Sequence, residues 1–158
     1  MAVTVFLDTS VLLAGLIDFG PQSAPAQSIL HAVAENTLRS PSTAWHCCLE
    51  FYSVVTRLPP EFRLSPADAA HLVQDEVMAR MTVLDLPGND RERLFRSAVS
   101  DQTAGGRIYD AHIAEVARAA GAEVIVTDNR RHFIASLRHG IRVETPGEFF
   151  AAFKKGRS

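Results

Sequence analysis

The chain reads as a single α/β domain, a central parallel β-sheet flanked by helices in an α/β/α arrangement. Two short, nearly continuous apolar runs, within 3–7 and 123–127, have the pattern of strands covered on both faces. Segments of helical periodicity alternate with such runs along the chain. The 158 residues suffice for one substantial core and are too few for two ordinary ones. No repeat and no linker-like stretch marks a boundary, so 1–158 is assigned to one domain, with an ordered core at about 3–153 and a basic tail at 154–158.

The run Val3–Leu7 predicts a first strand that ends at Asp8. Thr9 or Ser10 is then placed to cap a short helix through Val11–Ala14, and Gly20, Pro21 and Pro25 punctuate a turn before a second helix near 26–37. A short strand is expected around Arg39–Pro41. Ser42 or Thr43 would then cap a helix whose positions Phe51, Val54, Val55 and Leu58 are spaced for one face and which ends at Pro59-Pro60. Ser65-Pro66-Ala67-Asp68 is a helix start, with serine as cap, proline at the first position and an acid at the third. Ala70, Val73, Val77 and Met81 supply that helix with a buried face.

Thr82–Leu86 reads as a strand and Arg91–Ser100 as a helix with Leu94, Phe95 and Val99 on its apolar side. Gly105-Gly106 precedes a helix from about Arg107 to Ala120 that stops at Gly121, and Asp110 lies in its first turn. The strand over 123–127 ends, like the first, in an acid, Asp128. A short helix around 130–137, a strand near 141–143 and a last helix after Pro146-Gly147 complete the alternation.

Composition narrows the function classes. With 47% hydrophobic and 22% charged residues and no biased tract, the chain has the makeup of a folded globular protein. The amino terminus lacks the basic and apolar regions of a secretory signal, and no stretch reaches the length of a membrane span, so a cytoplasmic protein without membrane association is expected. Cys47 and Cys48 are adjacent, a spacing unsuited to a disulfide or a zinc site, and are expected as packed thiols. A net charge of -2 gives no overall basic field, so any case for a nucleic-acid partner must rest on a site. Locally, Arg130-Arg131-His132 and the tail at 154–157 are basic.

Four acids stand out. Asp8 and Asp128 end buried strands, the position beyond which parallel sheets bind ligands. Asp110 shares a helix face with Ile113, Ala114 and Ala117, and Glu50 borders the apolar stripe of its own helix. Singly, each has an ordinary explanation: a cap or loop acid for Asp8 and Asp128, a pair with Arg107 or His112 for Asp110, a pair with Arg57 or solvent exposure for Glu50. Converging on one crevice, they would repel strongly unless a cation neutralised them, and oxygen-only ligands favour Mg²⁺ or Mn²⁺. Such ions activate water and steady phosphate oxygens in hydrolysis.

At this point the sequence resembles the PIN-domain family, and within it the VapC toxins of bacterial toxin–antitoxin pairs. The resemblance is carried by Phe6–Ala14, by Glu50 with the helix through Leu58, by Gly106-Arg107-Ile108-Tyr109-Asp110-Ala111, and by Val126-Thr127-Asp128-Asn129 followed by Phe133. Each motif is weak and the ordered set is specific. The resemblance implies an endoribonuclease with Asp8, Glu50, Asp110 and Asp128 around Mg²⁺ or Mn²⁺, and with Thr9, Ser10 and Thr127 as supporting hydroxyls. It also implies an RNA substrate, a VapB-type antitoxin partner and a homodimer. Where the family often reads Thr-Asn-Asp, this chain has Thr127-Asp128-Asn129, which leaves the ligand role of Asp128 less defined. Arg130 and Arg131 are candidates for substrate phosphate, and Phe19, Trp45, Phe149, Phe150 and Phe153 for apolar contact surfaces.

Competing readings fit less well. A dehalogenase-type phosphotransferase needs a second aspartate where Ser10 stands, and a receiver domain needs a lysine after a late strand, whereas the only lysines are Lys154 and Lys155. A PIN domain without turnover, binding RNA or protein, is the alternative from a different class, and a DNA-directed nuclease lacks the extra elements expected of it.

Overall fold

The computed structural model describes residues 4–157. Five strands, β1 (Val5–Leu7), β2 (Pro41–Ala44), β3 (Thr82–Leu84), β4 (Val124–Val126) and β5 (Arg142–Glu144), form one parallel sheet in the order β3-β2-β1-β4-β5. Helices α1 (Thr9–Leu16), α2 (Ala24–Ala34), α3 (Trp45–Val55), α4 (Pro66–Leu72), α5 (Arg91–Ser100), α6 (Arg107–Ala119) and α7 (Pro146–Arg157) flank it. The expected α/β/α architecture is what the chain forms. A parallel sheet requires crossover connections, and the helical periodicities between the strands supply them.

The central strands explain their own place. β1 and β4 are buried along their whole length, so Val5, Phe6, Leu7, Val124, Ile125 and Val126 meet apolar side chains on both faces. Phe51 from α3 and Phe133 from the 3-10 segment Arg130–His139 are fully enclosed, each burial contributing ~1.5–3 kcal/mol. Among the described residues no helix is long and apolar enough to cross a membrane.

Several boundaries differ from the sequence reading, each for a local reason. Thr9 and Ser10 do not cap α1; Thr9 is its first residue and Asp8 holds the cap position without a side-chain cap bond, because that carboxylate is used elsewhere. Ser42 and Thr43 are strand residues rather than caps, and their hydroxyls donate across the sheet to the carbonyls of Val5 and Leu7 at 2.9 and 2.7 Å. The second strand therefore falls at Pro41–Ala44, later than 39–41. Val3 lies outside the described residues. Phe95 and Val99 are 64% and 79% exposed, while Leu94 and Ala98 are buried, so α5 covers the core with a narrower stripe than its apolar residues suggested.

Other starts follow their signals. Ser65 Oγ accepts the Asp68 amide at 3.1 Å, and Pro66 opens α4. That helix continues as a π-helical segment, Val73–Met78, which keeps Val73 and Val77 buried; Met81 and Ala69 are buried with them, and Ala70 is only half-buried. Gly121, with a φ of 74°, takes the left-handed conformation that ends α6. Gly15 lets α1 and α2 approach closely, since a Cβ there would lie 2.5 Å from Leu30 Cδ2.

An acidic crevice at the carboxyl edge of the sheet

Strand order reverses at β1, with β2 and β3 added on one side and β4 and β5 on the other. Loops leaving the carboxyl ends of strands at such a reversal diverge and open a crevice. Leu7 is in register with Val126, so Asp8 stands beside Thr127. The sheet itself fixes Asp8, whose amide still donates to the Val126 carbonyl at 3.1 Å.

Asp8 is 4% exposed, and among the described residues no cation forms an ion pair with it. Its Oδ2 accepts from the hydroxyls of Thr127 at 2.8 Å and Ser10 at 3.0 Å. Those hydroxyls are themselves held by backbone: Asp128 N donates to Ser10 Oγ at 3.0 Å and Asn129 N to Thr127 Oγ1 at 2.9 Å. The loop after β4 is thus tied through two hydroxyls to the carboxylate after β1. Burial pushes the Asp8 carboxyl above the usual carboxylate range; the two hydroxyls and the Thr9 amide oppose this, and the nearby Glu50 carboxylate reinforces it.

The remaining acids have partners of their own. Glu50, half-buried on α3, accepts the Thr9 hydroxyl at 2.8 Å, and His46 Nε2 stands 3.7 Å from the same Oε1. Asp110, half-buried in the first turn of α6, lies 3.1 Å from His132 Nδ1, and not against Arg107 or His112. Asp128 is exposed as a residue, yet partial desolvation raises its carboxyl pKa. Among the described residues no group of three or more His, Cys, Asp or Glu side chains is placed to hold a metal ion by itself. Asp8 and Glu50 are therefore the acids linked electrostatically, while Asp110 is tied to an imidazole.

Arg130 pairs with Glu148 at 3.0 Å, whereas Arg131 lines a cleft beside Asp110. Of the residues proposed as apolar surfaces, Phe149 is buried, Phe19, Phe150 and Phe153 pack partly against the core, and Trp45 is 42% exposed. Two neighbours of the acids are not placed beside them by the sequence reading, His46 and Cys47, although Cys47 is expected as a packed thiol. His46 precedes Glu50 by one helical turn, an i,i+4 relation that was legible. Cys47 is not: its thiol is pushed up to about 12 by burial and then by Asp8, a proximity that only the fold creates. His46 also stacks on Tyr109 at 5.5 Å and meets His112 edge-on at 5.4 Å, and burial followed by His46 lowers the His112 pKa.

A parallel sheet with a buried aspartate at its reversal point, hydroxyls on that carboxylate and a second carboxylate, Glu50, beside it defines an α/β protein with an acidic centre at the carboxyl edge of its sheet. A sequence profile of the PIN domain matches residues 4–131. The chain belongs to the PIN-domain family, in its VapC-type branch. It is 31% identical over 123 residues to Ribonuclease VapC40 of Mycobacterium tuberculosis, a match covering 78% of this chain and 85% of that relative. It is 36% identical over 92 residues to Ribonuclease VapC27 of the same organism, covering 58% of this chain and 65% of that relative. A DNA-bound VapBC from Salmonella typhimurium shares the fold, with a TM-score of 0.61 at 22% identity, covering 91% of this chain and 98% of that one.

Proposed function

We propose that the chain is a Mg²⁺- or Mn²⁺-dependent endoribonuclease and the toxin of a toxin–antitoxin pair. The observation that carries the proposal is Asp8: a carboxylate 4% exposed, beside Glu50, with hydroxyl donors and no cationic partner among the described residues. A buried charge without compensation is costly, and a hard divalent cation would relieve both the burial and the repulsion. The donors are all oxygen, which suits Mg²⁺ or Mn²⁺. Mg²⁺ is usually held by one or two carboxylates with waters and substrate phosphate, so the lack of a closed protein cage is compatible with it.

Asp8 and Asp110 would hold the principal ion, with Glu50 and Asp128 binding its waters or completing its shell. Bound there, the ion would lower the pKa of a coordinated water and offset charge on the phosphate oxygens. Thr127 and Ser10 keep the Asp8 carboxylate in one orientation, and Thr9 does so for Glu50. His132, 3.1 Å from Asp110, would orient that carboxylate toward the ion. The reaction would be attack of water on phosphorus, in line with the breaking bond to the leaving ribose oxygen. Arg131, and Arg130 once released from Glu148, would sit against substrate phosphate.

The ribonuclease names of two relatives support the RNA substrate, and the VapBC likeness supports a VapB-type antitoxin; the homodimer is proposed from the family resemblance of the sequence alone. Cleavage of RNA but not DNA by the purified chain, lost in Asp8→Asn, tests the activity. Light scattering showing only monomer at every concentration would remove the dimer. Failure to co-purify with the product of an adjacent small gene would count against the antitoxin. RNA binding with no cleavage would favour a binding module instead.

A further inference from the structure

A cleft of about 180 Å³ lies between α5, α6 and the 3-10 segment Arg130–His139. Asp110 and His132 are among its lining residues; Asp8, Glu50 and Asp128 are not. It therefore shares Asp110 with the proposed metal site and none of that site's other acids. Four arginines line it: Arg107, Arg118, Arg131 and Arg138.

Their roles divide by partner. Arg138 makes a two-bond pair with Asp101, at 2.8 and 2.9 Å, which joins the 3-10 segment to the end of α5. Arg118 donates to Glu115 at 2.6 Å and stands 3.5 Å from Asp90, which joins α6 to the start of α5. These two are neutralised and brace the walls. The guanidinium groups of Arg107 and Arg131 have no hydrogen-bond or ion-pair partner among the described residues, and both residues are exposed. Evolution of a merely solvated surface does not require two free guanidinium groups facing the same braced cleft, with the hydroxyls of Ser97 and Thr103 on its wall. A planar fork of donors without an acid suits a phosphodiester oxygen pair.

We propose that this cleft is a subsite for single-stranded RNA, in which Arg107 and Arg131 hold the phosphodiester of a nucleotide flanking the one cleaved. The proposal rests on the nuclease reading and adds a direction to it: the strand leaves the acidic crevice over Asp110 and enters between α5 and α6. The volume is below the ~300–1,000 Å³ of ordinary small-molecule pockets, so the cleft takes one backbone unit and not a folded RNA element. Arg107 acts as a binding residue and touches no reacting atom.

The test uses the full chain carrying Asp8→Asn, so that RNA is bound and not consumed, with affinity for a fluorescent unstructured RNA measured over a salt series. Each phosphate contact adds ~0.7 to the slope of log K against log salt for a single strand. Arg107→Ala with Arg131→Ala should lower that slope by ~1.4 and weaken binding about tenfold or more at low salt, while Arg107→Lys should restore most of the slope. Arg80→Ala, which removes a charge paired with Glu76 on another helix, should leave the slope unchanged. Circular dichroism melts confirm that each variant is folded. An unchanged slope in the double variant, with RNA still bound and the Asp8-bearing chain still cleaving, overturns the subsite and leaves the nuclease reading standing. Absence of both RNA binding and RNA cleavage overturns the two together.

Discussion

Thr127 donates its hydroxyl to Asp8 Oδ2 at 2.8 Å, linking the ends of β4 and β1 across the centre of the sheet. Both residues are buried, so the bond is shielded from water and sets where the carboxylate points. Thr127→Val keeps the shape and removes the donor. It should cost about 1–3 kcal/mol in denaturant unfolding, because a buried acceptor loses one partner, and should lower cleavage as well. Thr127→Ser should restore most of both. Wild-type behaviour of the valine variant would mean that the bond has no part in placing Asp8.

Burial raises the Asp8 carboxyl pKa above its value in the unfolded chain. The folded state therefore binds the proton more tightly, and between the ordinary aspartate value of ~3.9 and the raised one stability falls as pH rises. In metal-free buffer Asp8→Asn should raise the melting temperature at pH 7 and flatten the pH dependence in that window. A variant that melts lower than wild type at pH 7 would show that the ionised carboxylate is not a source of strain.

Much of this was legible in the sequence. An apolar run that ends in an acid is a local pattern, and it located Asp8 and Asp128; helical periodicity located Asp110 and Glu50. What was not legible depends on pairing at a distance. The partners of Glu50 are Thr9, 41 positions away, and His46, and the partner of Asp110 is His132; none is implied by the residues beside them except His46. Ser42 and Thr43 were misread as caps because a hydroxyl that bonds a neighbouring strand and one that caps a helix look alike in sequence. Phe95 and Val99 lie on the exposed side of α5 because tertiary packing, not periodicity alone, decides how wide a buried stripe is.

Metal should stabilise the fold, since a ligand that binds only the native state adds ~2.7 kcal/mol at a hundredfold excess over Kd. Mn²⁺ is expected to raise the melting temperature of the wild type. In Asp110→Asn, which removes one of the proposed ligands, the metal-free melt should change little or rise, and the Mn²⁺ response should disappear. An undiminished response in that variant would exclude Asp110 as a ligand.

The adjacent cysteines should be inert. Burial pushes Cys47 up to about 12 and Cys48 to about 11, so at pH 8 almost no thiolate is present and neither sulfur is accessible. Iodoacetamide should label neither in the native chain and both in guanidinium chloride, read by mass spectrometry. Rapid native labelling would show that the β2–α3 junction opens, and with it the floor beneath Asp8.

If the charge of Asp8, and not its size, holds the proposed cation, the carboxylate should be required. Asn at this position keeps the shape and an acceptor for Thr127 and Ser10, so folding should survive. If metal stabilisation of the transition state is worth ~3 kcal/mol or more, cleavage should fall roughly a hundredfold or more. The direct measurement is cleavage of a labelled RNA containing many sequence contexts by wild type with Mg²⁺ or Mn²⁺, by Asp8→Asn under the same conditions, and by wild type with EDTA. Cleavage confined to the first reaction is the expected result, and equal cleavage in all three would contradict a metal-dependent site at Asp8.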